Sequence, residues 1–382
     1  MHIPDLDALS ALRRDLHRHP ELGFEEHRTS GIVADRLREL GFAVTTGIAG
    51  TGVVGTIGAA HGRAVGLRAD MDALAMTETG GAPWASTVPG RMHACGHDGH
   101  TALLLGAAEV LAAQPPVEGR VHLIFQPAEE GRGGARRMVE EGLFERFPCD
   151  MVFGLHNMPG MAPDAMAVVA GPQLASSDSW RVAFRGVGSH AAKPHQGRDA
   201  LTAAGHFLSG LQSIPGRTVD PLQPAVISAC AVEAGDMAAL NVIPAEVRIG
   251  GTARAFTPEV RDTLEAGIGR LAHGVADAFG VTARYEFIRR IPPMINDEAA
   301  AAVALAAARE VAASVDTSFP PTTAGDDFAF FAGAAPGAFV WLGNGSARGG
   351  APHHSPDYDF EDAALATGVA FWVAVARLAL RA

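Results

Sequence analysis

The run VHLIFQ at 121–126 is apolar at nearly every position and too short for a core helix. A strand with no polar side is buried on both faces, as happens where helices cover a largely parallel sheet. The runs GVVGTIG at 52–58, AVGLRAD at 64–70, MVFGLH at 151–156 and AFVWLG at 338–343 repeat the pattern. Helical spacing lies around them: Leu6, Leu9, Leu12 and Leu16 predict a helix over 5–18, a second is expected over 30–40 and a third over about 100–113. Strand and helix alternating in this way predict an α/β fold with a mixed, mostly parallel sheet sandwiched by helices.

From about Ser179 the texture changes. WRVAFRG at 180–186 and EVRIGGTARAF at 246–256 are strands, with helical segments at 198–213 and 258–279. This reads as a compact inserted α+β domain over 178–290. After IPPMIND at 291–297, an Ala-rich helix and the strand AFVWLG return to the first domain, which is therefore expected over 1–177 and 291–382. A chain of 382 residues exceeds what one hydrophobic core usually serves, so two domains fit. The Gly and Pro clusters near 131–134, 292–293 and 345–352 read as loops.

The formal charge of −12, from 42 acidic against 30 basic residues with no basic run, argues against a nucleic-acid partner. Three cysteines, Cys95, Cys149 and Cys230, make no disulfide framework and fit a reducing compartment. The N-terminal stretch has no apolar signal region and no long uninterrupted apolar window follows, so a cytoplasmic protein without a membrane partner is expected.

MHACGHDGH at 92–100 packs His93, Cys95, His97, Asp98 and His100 between a Gly-rich loop and a helix. Thiolate and imidazole are good donors for zinc and its neighbours, and Cys95 and His97 can reach one ion from an irregular loop. PAEEG at 127–131 puts Glu129 and Glu130 directly after a buried strand, where α/β sheets place active sites. If one binds a divalent ion, the other is free to act as a general base on water. His156 closes the strand MVFGLH, and APHHSPDYDF at 351–360 supplies His353 and His354, either of which suits a last ligand. Taken singly, each motif also reads as a capped helix start or a solvated loop.

RADMDAL at 68–74, MHACGHDGHTA at 92–102, FQPAEEG at 125–131, GLH at 154–156, GVGSHAAKPH at 186–195, NVIP at 241–244 and HHSPDYDF at 353–360 together resemble the hippurate hydrolase branch of the aminoacylase and carboxypeptidase metallohydrolases. That branch includes bacterial N-acyl-amino-acid amidohydrolases and plant indole-acetyl-amino-acid hydrolases. The resemblance implies a zinc-exopeptidase-like fold whose insertion serves as a lid and dimerisation domain. It implies metal ligands at Cys95, His97, Glu130, His156 and His354, the last preferred over His353 because Ser355 and Pro356 follow it. It implies Glu129 as the proton acceptor and Asp70 as a residue orienting a metal-bound imidazole.

From the insertion it implies His190 as a donor to the tetrahedral oxyanion and Arg254 for the amino acid carboxylate, and Asn241 of NVIP could assist either role or simply belong to a turn that fixes the strand. The implied cofactor is one or two divalent ions, zinc, manganese, cobalt or nickel. The implied partners are a small N-acyl amino acid and a second copy of the chain. A dipeptidase or carboxypeptidase is the alternative within hydrolysis. A cysteine nucleophile at Cys95 and a non-catalytic metal-binding scaffold are the alternatives outside it. Two departures, Ala75 where the family usually has proline and Asp326 where glutamate is usual, bear on the substrate pocket.

Overall fold

The computed structural model describes residues 4–346 and 350–382; within the loop expected at 345–352, residues 347–349 lie outside it. The chain divides into two compact units, one of Met1–Gln173, Ile295–Pro320 and Asp326–Ala382, the other of Leu174–Met294 and Pro321–Gly325.

The first unit is built on an eight-stranded sheet. Its strands in chain order are β1 (Ala43–Ile48), β2 (Gly52–Gly58), β3 (Ala64–Asp70), β4 (Arg120–Gln126), β5 (Met151–Met158), β6 (Ala165–Ala167), β7 (Ser314–Asp316) and β8 (Gly337–Gly343). Their spatial order is β1-β2-β4-β3-β5-β8-β6-β7. The central four, β4, β3, β5 and β8, are mutually parallel. β2 pairs antiparallel with β4, and β6 antiparallel with β8. Every residue of β3 and β8 is buried, as the unbroken apolar runs require. The expected α/β sandwich is therefore the fold, with a mixed periphery around a parallel centre.

Helix α1 (Leu6–Arg18) is capped by the Asp5 carboxylate, which accepts from the backbone N–H groups of Asp7 and Ala8. Its inward face also buries Arg13, whose guanidinium pairs with Asp98, Asp359 and Asp362. Helix α2 spans His27–Glu39, beginning before the expected residue 30, and α3 spans His97–Ala113. α3 starts earlier than the expected residue 100 because Gly96, at φ 93°, turns the chain directly into it. His97 thus stands at the helix N-terminus.

The second unit has a four-stranded antiparallel sheet in the order Ala225–Ala234, Glu246–Ala255, Ser177–Arg185, Thr282–Ile291. Asp178, Trp180, Val182 and Phe184 alternate inward along one strand, the period that WRVAFRG displays. Helices Ala200–Leu211 and Pro258–Phe279 supply Phe207, Leu264 and Ile268 to the same core. Asp178 is buried with Arg261, accepting two of its guanidinium hydrogen bonds at 2.9 and 2.6 Å. No helix among the described residues is long and apolar enough to cross a membrane.

Candidate metal centre

The carboxyl ends of the parallel strands carry the chemistry. β3 ends in Asp70 and runs on to Asp72, β4 runs into Pro127–Glu130, and His156 lies near the end of β5. The loop before α3 adds Cys95, the first residue of α3 adds His97, and the segment before the last helix adds His354. Ligand atoms of Cys95, His97 and His156 lie within 4.8 Å of one another, as do those of Cys95, Glu130 and His354, and those of His97, Glu129 and Glu130. All six residues singled out in the first unit as ligands or base are therefore brought together, and Cys95 is common to two of the groups. Cys95 Sγ is 3.4 Å from His156 Nε2, and His354 Nε2 is 3.3 Å from Glu130 Oε1.

Backbone carbonyls fix two of the imidazoles. His97 Nδ1 donates to the Asp72 carbonyl at 2.8 Å and His156 Nδ1 to the Asn157 carbonyl at 2.8 Å. A carbonyl only accepts, so both rings carry their proton on Nδ1 and turn Nε2 toward the cluster. His97 Nε2 is buried without a hydrogen-bond partner among the described residues. An orphaned imidazole nitrogen beside a thiol, two further imidazoles and a carboxylate is the donor set that suits zinc or a neighbouring divalent ion. The residues fit the cofactor that the resemblance implies.

His100 takes another role. Its Nδ1 donates to Asp70 Oδ1 at 2.6 Å while its Nε2 accepts the backbone N–H of Asn157 at 3.1 Å, leaving no nitrogen for an ion. The imidazole that Asp70 orients by hydrogen bond is therefore His100; Asp70 Oδ2 stands 3.7 Å from His97 Nε2. Asn157 is a hub as well. Its side-chain amide donates to the Cys95 carbonyl at 2.6 Å, and its Oδ1 accepts from His353 Nε2 at 3.0 Å and Tyr358 Oη at 2.6 Å. That anchors the segment carrying His354, itself in the left-handed region at φ 62°. His353 is thus a support beneath the cluster.

Burial and the charges of Asp326, Glu130 and Asp327 hold the Glu129 carboxyl well above the usual carboxylate range. Burial, with the Glu130 charge beside it, raises the Cys95 thiol. Hydrogen bonds to Cys95 and Glu130 raise His354 to about 10. Burial alone would lower His97, but the Asp70 charge and the Asp72 hydrogen bond carry it well above the imidazole range. Protons shared in this way among a thiol, imidazoles and carboxylates are what a cation displaces on binding.

In the second unit, His190 lies on the short strand Ser189–His190, paired with Val242–Ile243. Asn241 adjoins it, its carbonyl accepting the Ala191 N–H at 2.9 Å. Both residues are exposed. Arg254 is half-buried in Glu246–Ala255, its guanidinium donating to the Ala253 carbonyl at 3.0 Å.

Asp72 carried no role in the sequence beyond the second acid of RADMD and Asn157 none beyond its neighbour, while His353, open as a last ligand, hydrogen-bonds Asn157 instead. The signal for Asp72 and Asn157 was position alone, each within three residues of a proposed ligand or of Asp70.

Residues 66–378 match the model of Peptidase family M20/M25/M40. The chain is 39% identical to a hippurate hydrolase of Campylobacter jejuni over 97% of its own length and 95% of the relative's. It is 38% identical to an N-acetyl-L-cysteine deacetylase of Bacillus subtilis over 94% and 84%. The fold superposes on a crystal structure of a Bacillus subtilis protein described as a dinuclear metal-binding peptidase of the M20 family, with a TM-score of 0.86, 33% identity and 98% of each chain covered.

Proposed function

The chain belongs to Peptidase family M20/M25/M40 and is a metal-dependent hydrolase; on that premise we propose that it cleaves the amide bond of small N-acylated amino acids, releasing a carboxylic acid and a free amino acid. The observation that carries this reading is the divergence of two adjacent glutamates. Glu130 joins Cys95 and His354 in one group, whereas Glu129 is also grouped with the buried pair Asp326 and Asp327. This difference supports Glu130 as a ligand and Glu129 as a proton carrier.

Cys95, His97, Glu130, His156 and His354 would hold the one or two divalent ions. Bound there, such ions polarise a scissile carbonyl and make water more acidic. Glu129 Oε1 faces the Asp327 N–H at 3.4 Å, and the acidic surroundings favour its protonated form. Once a cation bound beside it offsets those charges and the carboxyl ionises, its high proton affinity would suit it to take a proton from the attacking water and pass it to the departing amine. His190 would donate to the tetrahedral oxyanion, and Arg254, supported by Asn241, would pair with the carboxylate of the amino acid. Two relatives are named for hippurate and N-acetyl-L-cysteine, which supports an acyl amino acid, while two thermostable carboxypeptidases of Saccharolobus solfataricus, each 34% identical over 95% of this chain, keep peptide hydrolysis as the alternative. A homodimer that shares His190 between subunits, in the cytoplasm, is part of the same proposal.

The test is hydrolysis across acetyl, benzoyl and indole-acetyl amino acids alongside dipeptides, before and after a strong chelator. Acyl amino acids should be turned over, with activity abolished by chelation and restored by zinc, manganese or cobalt. Preference for dipeptides assigns the chain to peptide hydrolysis, and activity surviving chelation returns the thiol of Cys95 as nucleophile.

A further inference from the structure

The turn that presents the two glutamates has an unusual backbone. Ala128 sits at φ 55°, a left-handed conformation for a residue with a Cβ, and it is fully buried. Three consecutive backbone N–H groups, those of Ala128, Glu129 and Glu130, then point into the protein. Each meets a buried carboxylate. Ala128 N–H donates to Glu26 Oε1 at 2.8 Å, Glu129 N–H to Asp72 Oδ1 at 2.9 Å and Glu130 N–H to Asp72 Oδ2 at 3.0 Å. Glu26 and Asp72 are 0% and 1% exposed, and Glu26 Oε2 is occupied by the Thr51 hydroxyl at 2.6 Å.

We infer that Asp72 and Glu26 are positioning residues: they strap the Pro127–Glu130 turn in its left-handed form and so aim Glu129 and Glu130 in their separate directions. The inference rests on the proposed roles of those two glutamates. Successive N–H groups in such a turn form a nest for negative charge, and here the chain's own carboxylates fill it. Asp72 does more than hold the turn, since its carbonyl also fixes the His97 tautomer. One residue on the β3 side thereby sets the base, one ligand from the β4 turn and one from α3.

The two carboxylates differ in what an amide can replace. Both Asp72 oxygens accept from N–H groups, so Asp72→Asn turns an NH2 against one of them and leaves two donors face to face. In Glu26→Gln the amide oxygen can keep Ala128, while the NH2 meets a hydroxyl that can rotate to accept.

The experiment measures kcat and KM on an acyl amino acid, and zinc affinity by competition with a chromogenic chelator, for Asp72→Asn, Glu26→Gln, Glu26→Ala and Glu130→Gln. Circular dichroism of each metal-free chain controls for folding. Asp72→Asn is expected to weaken zinc binding and lower kcat by about 10–100-fold each, with KM little changed. Glu26→Ala should lower both by about 10-fold and Glu26→Gln by no more than about 3-fold. In the Glu130→Gln background, Asp72→Asn should cost little further zinc affinity, because both changes act through one ligand. Parental zinc affinity and kcat in folded Asp72→Asn overturn the strap, as do full, independent losses in the double variant. If Asp72→Asn does not fold, equal losses in the two Glu26 variants overturn it. If Glu130→Gln keeps its zinc, the ligand role of Glu130 fails instead, and the strap then stands or falls on the kcat of Asp72→Asn.

Discussion

In the first unit, His97 and His156 are buried, and each has one ring nitrogen tied to a backbone carbonyl, so its protonation site and aim are set before any ligand arrives. In the second unit, His190 is exposed on a two-residue strand, and among the described residues its ring hydrogen-bonds the Ala192 N–H alone, at 3.1 Å. The contrast extends to the charged groups. Arg68 is fully buried with Asp70 and Asp326 against it at 2.8 and 3.1 Å, whereas the fork of Arg254 touches one carbonyl. His97 and His156, proposed to hold an ion, are locked by the fold. Groups proposed to meet a substrate are left with free donors, and their preorganisation has to come from the substrate itself or from a second chain.

The sharpest way to break that contrast is Glu129→Gln. It removes a proton carrier and no ligand, so zinc content by elemental analysis should stay at the parental level while kcat falls by about 10²–10⁴-fold. Loss of zinc in this variant, with zinc retained in Glu130→Gln, would exchange the two roles.

His190→Ala should lower kcat by about 10²–10³-fold with metal content and melting temperature little changed, because the side chain is exposed and its hydrogen bond is to the nearby exposed Ala192 N–H. Mixing that inactive chain with inactive Glu129→Gln chains tests whether the donor acts across subunits. Partial recovery of activity in mixed dimers is expected. Mixed dimers that form and stay inactive would place His190 outside the reaction.

The smallest effect concerns the locked side alone. His17 Nδ1 lies 2.9 Å from Asp98 and its Nε2 3.4 Å from Glu78, with Arg13 and His93 also facing it. Burial would lower this imidazole, but the charge and hydrogen bond of Asp98 raise it to about 9. Its folded pKa is above the unfolded value near 6.5, so its contribution is complete below that pH and is lost as pH rises through about 9. The loss is about 3 kcal/mol at most, a fall of several degrees in the melting temperature of chelator-treated protein between pH 6.5 and about 9.5. His17→Asn should flatten that slope. A slope unchanged by the substitution would mean that the Asp98 pairing does not set it.

What the sequence made legible follows from the same division. Short apolar runs with no polar face read as buried strands, and a ligand just after such a run lands at one edge of the sheet, so Glu129, Glu130 and His156 could be grouped from the sequence, with Cys95 and His97 added by the density of MHACGHDGH. Glu26 could not. Nothing local to FEEHR distinguishes its second glutamate from the first, and its partner Ala128 is 102 residues away. Helix α1 read as a surface helix with a leucine stripe, yet Arg13 and His17 are buried because acids from distant segments neutralise them. In the second unit, the strand Ala225–Ala234 is largely exposed and rich in small residues, and gives little alternation to read.

The pairing of Arg13 with the far end of the chain also dictates an order of events at the ribosome. Its partners Asp359 and Asp362 lie 346 and 349 residues later. A guanidinium withdrawn from water without its carboxylates costs several kcal/mol, so α1 gains its full pairing only after the segment carrying Asp359 and Asp362 has been made. Leu174–Met294, by contrast, is contiguous and has its own core, and it is free to fold while the first-made helix still waits in solvent. α1 precedes its partners in the chain yet is sealed only after them, and a nascent chain halted before Asp359 would lack two of the three carboxylates that pair with Arg13.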